Sequence, residues 1–238
     1  MQLHATASTT IGELVLFWPE FLPADFDSQF HEPAEGDSSC LVDGLREAGK
    51  IVLLSTAEKG EYHLALLVDE PLPAAVENYA TLVGKVETLQ VAATGWFAGV
   101  ECLHREDRWL LTKYPRMGTA VQLPPGIYSA ELFATEIPDA VYETWLHDQA
   151  GGTAVQWWWL QTWLASLGVV AFFIFVACLF FATRQTMLVS LAVASLLLAL
   201  AWLMSCTAGY ARVQQARSEY HQAYPDFVVR LRAAESAA

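Results

Sequence analysis

Two uncharged apolar runs constrain the fold of this chain more than any other feature. The first covers residues 163–182, WLASLGVVAFFIFVACLFFA, and the second covers residues 187–208, MLVSLAVASLLLALAWLMSCTA. Helices of this length measure about 30 Å, which matches the hydrocarbon core of a bilayer. Neither run has the polar face that a helix of a soluble protein would turn to water. The two runs therefore predict transmembrane helices.

The connection between the runs is very short. Only residues 183–186, TRQT, separate them, so the pattern predicts a tight helical hairpin whose two ends return to the same side of the membrane. Neither run contains Asp, Glu, Lys, Arg or His. Because ion and proton paths across membranes normally use such side chains, a transporter or channel made by this chain alone is disfavoured.

Tryptophan and arginine side chains flank the runs at the expected membrane surfaces. Tryptophan favours the interface because its ring is apolar while its N–H needs a partner, and arginine is enriched in the cytoplasmic flanks; here Arg212 and Arg217 follow the second run, and Arg184 is alone in the loop. The predicted interface anchors are Trp157, Trp158, Trp159, Trp163, Arg184, Arg212 and Arg217. A role of the tryptophans in stacking on a ligand is the alternative.

Small side chains recur four residues apart in the second run and would allow a close approach of two helices. This predicted packing seam consists of Ser190, Ala194, Ser195, Ala199, Ala201 and Ser205. The first run supplies phenylalanines as the bulky partners. Packing within the hairpin is the expected use of the seam, and self-association of two chains would use it equally well.

The charge is divided unevenly along the chain. Residues 1–150 contain 23 Asp/Glu and 8 Lys/Arg, a net charge of −15, whereas residues 151–238 contain 3 and 5, a net charge of +2. Nucleic acid is excluded as a partner of the first part because phosphate contacts need clustered cations. An acidic surface suits a basic protein partner. Simple solubility of the domain is the alternative.

The acidic part reads as a β-rich domain. Residues 50–56 and 61–69 are apolar runs joined by Glu58-Lys59-Gly60, which predicts a β-hairpin. Further short strands are predicted at 84–93, 96–103, 108–114, 119–123 and 127–135, with helices at 38–46 and 138–149. The predicted fold class is an α+β soluble domain dominated by antiparallel β structure, a sandwich or open barrel, followed by an α-helical transmembrane hairpin. The predicted divisions are residues 1–150, 151–209 and 210–238.

The third division reads as a cytosolic helical tail. Residues 210–223 favour a helix, and residues 226–235, DFVVRLRAAE, set apolar against basic side chains as in a short amphipathic helix. Contact with the inner leaflet and packing on the soluble domain are equally compatible with this pattern.

Catalytic and metal-binding patterns are nearly absent. On a strand, Cys102 and His104 would share a face about 7 Å apart, which suits a nucleophilic pair or half of a metal site. No second ligand pair lies near them in sequence, and cysteine is also an ordinary buried residue. No phosphate-binding glycine loop or serine-hydrolase motif occurs. We therefore expect no enzyme, no metal and no cofactor.

The orientation and function follow as hypotheses. Residues 1–6, MQLHAT, lack the basic and apolar segments of a signal peptide, so we expect both termini in the cytoplasm, with a multi-pass chain in a bacterial-type inner (plasma) membrane. The leading hypothesis is a non-catalytic inhibitor or immunity-type protein that captures a toxic or basic protein at the inner membrane face. An accessory subunit of a larger membrane complex is the first alternative, and an enzyme using Cys102 and His104 is the second.

Overall fold

A computed structural model describes residues 1–31, 38–56, 58–106, 111, 113–114, 116–181 and 184–234. Within these ranges the chain forms two compact units. The first comprises residues 1–137 and 221–238, and the second comprises residues 138–220. An antiparallel-rich β domain of two sheets occupies the first unit, and two long apolar helices form a hairpin in the second. The predicted fold class is confirmed.

Two sheets make up the first unit. Sheet A has five strands, in the order β1 (Gln2–Thr9), β4 (Gly60–Val68), β9 (Phe227–Ala233), β8 (Gly126–Thr135) and β5 (Ala80–Val91). Sheet B has four strands, in the order β3 (Ile51–Ser55), β2 (Glu13–Phe17), β6 (Thr94–Gly99) and β7 (Gly118–Gln122). Among the described strands, β4 and β9 form the parallel pair, and all other neighbours are antiparallel.

The strand sequences reflect how many of their faces are covered. In β2, Leu14 and Leu16 enter the core between the sheets, whereas Val15 and Phe17 face the opposite layer. Two helices, α1 (Phe26–His31) and α2 (Ser38–Glu47), accompany this outer layer, and α2 contributes Val42 and Leu45 to it. A strand covered on both faces needs an uninterrupted apolar run, and β2 has one. A short α3 (Ala74–Glu77) places Val76 on the outer face of sheet A.

The returning strand β9 corrects the interpretation of the tail. Residues 226–235 were predicted as an amphipathic helix, but Phe227–Ala233 form a strand in the middle of sheet A. The alternation of Phe227, Val229 and Leu231 with Arg230 and Arg232 has the two-residue period of a strand, and its apolar members enter the core. The prediction was wrong because a seven-residue segment carries too few turns to separate the two periods.

One ion-pair cluster ties β9 to its neighbours on the outer face of sheet A. The Arg230 guanidinium donates two hydrogen bonds to the Glu131 carboxylate, one of them at 2.8 Å, and Lys85 Nζ lies 3.2 Å from the same carboxylate. These contacts, the bond from Arg230 above all, lower the pKa of Glu131. Three strands, β5, β8 and β9, are therefore linked by one carboxylate.

The predicted hairpin between residues 50–56 and 61–69 is also corrected. Both segments are strands, but β3 pairs with β2 in sheet B, and β4 pairs with β1 and β9 in sheet A. The connection therefore crosses from one sheet to the other. A short polar turn between two apolar runs indicates a reversal of direction, and it cannot distinguish pairing within one sheet from packing between two.

The second unit consists of four helices. They are α4 (Asp139–Ala150), α5 (Gly152–Phe181), α6 (Arg184–Ser205) and α7 (Ala208–Ala223). The predicted helix at 138–149 is confirmed by α4. Buried side chains of α4, the start of α5 and α7 form one apolar cluster, in which Trp145 Nε1 donates to the Ala216 carbonyl at 2.8 Å. Helices α5 and α6 form the hairpin, and both are long and apolar enough to cross a membrane.

Candidate functional site

The two lateral sides of the sandwich differ in how they are closed. On one side, edge strand β1 lies against edge strand β7. The backbone N–H of Thr6 donates to Thr119 Oγ1 at 3.1 Å, and the Thr119 hydroxyl donates to the Thr6 carbonyl at 2.6 Å. Ser8 Oγ also donates to the Arg116 carbonyl at 3.1 Å. This side is therefore sealed by hydrogen bonds between the sheets.

The opposite side, between edge strands β3 and β5, is closed at one end only. There the backbone N–H of Gln90 donates to the Gly49 carbonyl at 2.8 Å. Gly49 has a φ of +65°, and a Cβ at this position would overlap the carbonyl oxygen of Thr88. Only glycine allows both the left-handed backbone and this close approach. Away from Gly49, cavities lie between the two edges, and together they form a groove.

The β3–β5 groove consists of two adjoining cavities of about 530 and 570 Å³. Both are lined by Arg46 of α2, Leu53 of β3, Val83 of β5 and Leu132 of β8. Phe227 of the returning strand lines the 530 Å³ cavity together with Ala134 and Ile11. The groove thus combines apolar and polar side chains on walls from both sheets, as binding sites commonly do.

A β-bulge places Val83 at the edge of the groove. Leu82 pairs with Phe133 and Gly84 pairs with Leu132, so Val83 is the extra residue between two successive register pairs. Its side chain is 57% exposed, although it is apolar. Bulges re-aim side chains and also protect an edge strand from extension by another chain. A partner is therefore more compatible with binding through side-chain contacts in the groove than with binding as an added strand along β5.

Acidic side chains without salt bridges surround the groove. The two cations of the groove are already engaged, since Arg46 lies 3.2 Å from Asp43 and Lys85 lies 3.2 Å from Glu131. Among the residues that the structure describes, Glu13, Glu47 and Glu87 make no salt bridge, and all three are exposed. These three side chains therefore give the groove uncompensated negative charge.

The Cys102 and His104 pair does not lie on a strand, which corrects the sequence interpretation. Strand β6 ends at Gly99, and Val100–Cys102 form a 3-10 helix. Both side chains are buried, and His104 Nδ1 lies 4.0 Å from Asp27 Oδ1. Burial and the charge of Glu101 raise the pKa of the Cys102 thiol to about 11. A thiol of this kind stays protonated at neutral pH and is a weak nucleophile.

The surroundings of this pair have a structural use. Glu101 accepts hydrogen bonds from the backbone N–H and hydroxyl of Thr10 at 2.5 and 3.0 Å, which holds the turn between β1 and β2. Asp27 accepts the backbone N–H groups of Arg105 and Glu106 at 2.7 and 3.0 Å. No group of three potential metal ligands occurs in the described part of the chain. The predicted strand at 108–114 lies largely outside the described residues.

The predicted interface anchors fall into two groups. Trp157, Trp159 and Trp163 expose half or more of their side chains, as a lipid or water boundary requires. Trp158 is half-buried, and the guanidinium of Arg217 lies 5.4 Å from its ring centroid. Arg212 is exposed, and the side chain of Arg184 lies outside the described residues. The anchoring role of these seven residues stays a prediction.

The predicted packing seam is divided by the structure. Ala194 and Ala201, seven residues apart, are buried, and Ser190 and Ser205 are half-buried. Ser195 and Ala199 are exposed in the described chain. The role of these six residues in helix packing stays a prediction.

Gly168 of α5 is a close-approach position that sequence reasoning missed. A Cβ there would lie 2.8 Å from Leu198 Cδ2. The signal was available, because a single glycine within an apolar run often marks a helix contact. The groove residues had no such signal, since only the completed pairing of both sheets brings β3 and β5 together.

Comparisons with known proteins identify no family. No family model and no curated protein matches the chain. Among solved structures, a chain described as crocagin biosynthetic gene J is 16% identical, covers 56% of this chain and 75% of its own length, and has a TM-score of 0.36. ComJ of Bacillus subtilis, described as an inhibitor of the DNA-degrading activity of NucA, is 11% identical, covers 59% and 84%, and has a TM-score of 0.30. TM-scores this low leave the function to be argued from the groove.

Proposed function

We propose that this chain is a membrane-anchored, non-catalytic binding protein whose sandwich captures a basic protein partner in the β3–β5 groove. An inhibitor or immunity-type role at the inner membrane face fits this arrangement. The single observation that carries the proposal is the groove itself, in which exposed Val83 lies beside uncompensated Glu13, Glu47 and Glu87. The low likeness to ComJ adds no weight.

The chemistry of the groove favours a protein as the partner. Protein interfaces typically place an apolar centre inside a polar rim, and the apolar centre supplies most of the affinity. Here Leu53 and Leu132 are apolar lining residues, Val83 is an exposed apolar residue at the edge, and the groove also carries acidic side chains. A partner with an apolar side chain flanked by Lys or Arg would complement both features. With β9 included, residues 1–137 and 221–238 contain 22 Asp/Glu and 10 Lys/Arg, so the acidity of this unit persists.

The hairpin supports anchorage in a membrane. Trp163 and Trp202 expose 64% and 66% of their side chains along helices that carry no charge in their apolar runs. Such large apolar surfaces are unstable in water and stable in lipid. The chain leaves sheet A after β8 and re-enters it in β9, where Ala134 and Phe227 are register partners. Because β8 and β9 pair in one sheet, the chain must return to the side of the membrane from which it started. Two crossings would achieve this.

The proposed orientation places the sandwich in the cytoplasm. Arg212 and Arg217 follow the second apolar run, whereas Arg184 is the one basic residue between the runs. A larger number of cations on the cytoplasmic side agrees with the positive-inside rule. The bacterial-type inner membrane belongs to the same proposal. It predicts that Cys40, which is exposed, is protected from an impermeant thiol reagent in intact cells.

An accessory role in a larger membrane complex is the second candidate. Ser195 and Ala199 leave a small-residue surface exposed on α6, which another transmembrane helix could contact. Replacing residues 152–205 with an unrelated hairpin separates the two candidates. A protein that acts through its groove should keep its partner after this exchange, whereas a membrane subunit should lose it.

The test compares two sets of charge substitutions in the full-length, detergent-solubilised protein. The groove set is Glu13→Gln, Glu47→Gln and Glu87→Gln, and the control set is Glu20→Gln, Glu58→Gln and Glu77→Gln. All six side chains are exposed, and both sets change the net charge equally. We expect the groove set to weaken partner capture by at least about tenfold, with little effect of the control set.

Salt provides the second axis of the same test. Capture by the wild-type protein should weaken as the ionic strength rises, because exposed charges are screened. Equal losses for both sets of substitutions would contradict the groove as the site. Retention that is insensitive to salt would contradict a basic partner.

A further inference from the structure

A cavity in the helical unit lies where α5 begins and where α6 joins α7. Its volume is about 330 Å³. Thr153, Trp157 and Gln161 of α5 recur every four residues and form one wall. Met204 at the end of α6 and Arg212 of α7 contribute to the opposite wall. A space of this size accommodates part of a small organic molecule.

The cavity extends from the ends of the apolar runs towards the start of α5. Gln161 lies just before the first run, which begins at residue 163, and Met204 lies near the end of the second, which ends at residue 208. Thr153 precedes Gln161 by eight residues, or about 12 Å along a helix, and lies at the end away from the run. Trp157 lies between these two levels. The cavity wall is mainly apolar, and its charged residue, Arg212, follows the second span in the chain.

Arg212 gives the cavity a positive charge. Of the described residues that line the cavity, Arg212 is the one charged at neutral pH, and no carboxylate accompanies it. Arg212 makes no salt bridge within the described chain and is exposed. A second guanidinium, that of Arg217, lies over the ring of Trp158, another lining residue. Both cations favour an anionic ligand group beside the tryptophans.

We propose that this cavity binds one phospholipid, with the phosphate at Arg212 and the glycerol and upper acyl segments along Trp157 and Met204. The inference rests on the proposed insertion of the hairpin into a membrane. Anionic lipids are the preferred class, because Arg212 and Arg217 would repel the ammonium of a zwitterionic headgroup. Inorganic phosphate shares the charge but cannot cover the apolar wall.

The experiment measures lipid retention by the full-length protein. The protein is exchanged into mixed micelles with equal amounts of phosphatidylglycerol and phosphatidylcholine, and bound lipid is counted by native mass spectrometry. We expect one retained lipid, with phosphatidylglycerol preferred about fivefold. Arg212→Gln should abolish this preference, and Arg212→Lys should keep most of it. Arg232→Gln, which removes an exposed cation of the sandwich unit, is the matched control and should change nothing.

The outcomes separate the lipid site from the proposed function. An unchanged preference in Arg212→Gln, or displacement of the lipid by excess inorganic phosphate, would overturn the lipid site. Arg212→Gln should still float with phospholipid vesicles and still capture the protein partner. If the wild-type protein fails to float with vesicles, the membrane placement falls and the lipid site falls with it.

Discussion

The sandwich and the hairpin differ in where their polar groups lie. In the sandwich, Glu131 is paired with Arg230 and Lys85, whereas Glu87 at the groove rim has no salt bridge among the described residues. In the hairpin, the apolar runs contain no charged side chain, and contacts such as Gly168 with Leu198 depend on shape alone. Under the proposed function, directional recognition of a partner is therefore expected from the sandwich, and membrane anchorage from the hairpin.

The largest expected effect concerns β9, which makes the sandwich depend on chain that follows the hairpin. β9 pairs with both β4 and β8, so its loss opens the middle of sheet A. A chain ending at residue 150 should therefore fail to fold. Joining residue 137 to residue 221 through a short Gly-Ser linker keeps β9 and should give a folded sandwich without the helices.

Thermal unfolding followed by circular dichroism distinguishes these two proteins. The linked chain should unfold cooperatively, and the chain ending at residue 150 should show no cooperative transition. Cooperative unfolding of the shorter chain at the same temperature would mean that β9 is dispensable. Residues 1–150 would then form a complete domain, as the sequence alone predicted.

The next effect concerns the closed end of the groove. Gly49→Ala would place a methyl group against the Thr88 carbonyl and force alanine to a φ of +65°. We expect a loss of at least about 2 kcal/mol in the free energy of unfolding. Gly44→Ala in α2 is the matched control, because its Cβ meets nothing within 4 Å, and a gain of up to about 1 kcal/mol is expected. Equal effects at the two positions would refute this role of Gly49.

A smaller effect is expected within the hairpin. Ala194 is 1% exposed, whereas Ala199 on the same helix is exposed. Ala194→Leu should overpack the contact between α5 and α6 and cost about 1–3 kcal/mol, measured as unfolding in detergent. Ala199→Leu adds the same volume on the exposed surface and should be tolerated. The reverse order would show that the packing surface lies where Ser195 and Ala199 are.

The smallest effect concerns the Glu131 carboxylate and depends on pH. Because contacts with Arg230 and Lys85 lower its pKa below 4.5, the folded state is stabilised above that value, and this contribution is lost as the pH falls through the lowered pKa. Glu131→Gln should therefore cost about 1 kcal/mol at pH 7 and progressively less in acid. Urea denaturation at several pH values measures this, with Glu136→Gln as the control. If Glu131→Gln lost the same free energy of unfolding at every pH, the carboxylate charge would be excluded as the cause of that loss.

The sequence predicted features that depend on neighbours along the chain. The two apolar runs, the helix at 138–149 and the strand character of residues 127–135 were all readable, because length and periodicity decide them locally. The pairing of strands within sheets could not be predicted from the sequence in the same way. Nothing in residues 50–69 indicates that β3 and β4 belong to different sheets, since both runs are apolar and the turn between them fits either arrangement.

The candidate groove was hidden for the same reason. It needs the register shift that isolates Val83, the contact of Gly49 with β5, and the return of Phe227 from beyond the hairpin. Each of these is a long-range consequence of the completed sheets. Composition alone indicated an acidic domain, compatible with a basic partner or with simple solubility, and it gave no position for a binding surface.

Site-specific photo-crosslinking in cells tests the central claim most directly. A photoreactive residue is placed at Val83 in the groove, at Ile127 on β8 as a control of similar exposure (57% and 55%), and at Trp202 on α6. We expect one basic protein to be cross-linked from Val83 and from neither of the other two positions. Cross-linking of a protein from Trp202 but not from Val83 would contradict it and would make the hairpin the binding surface.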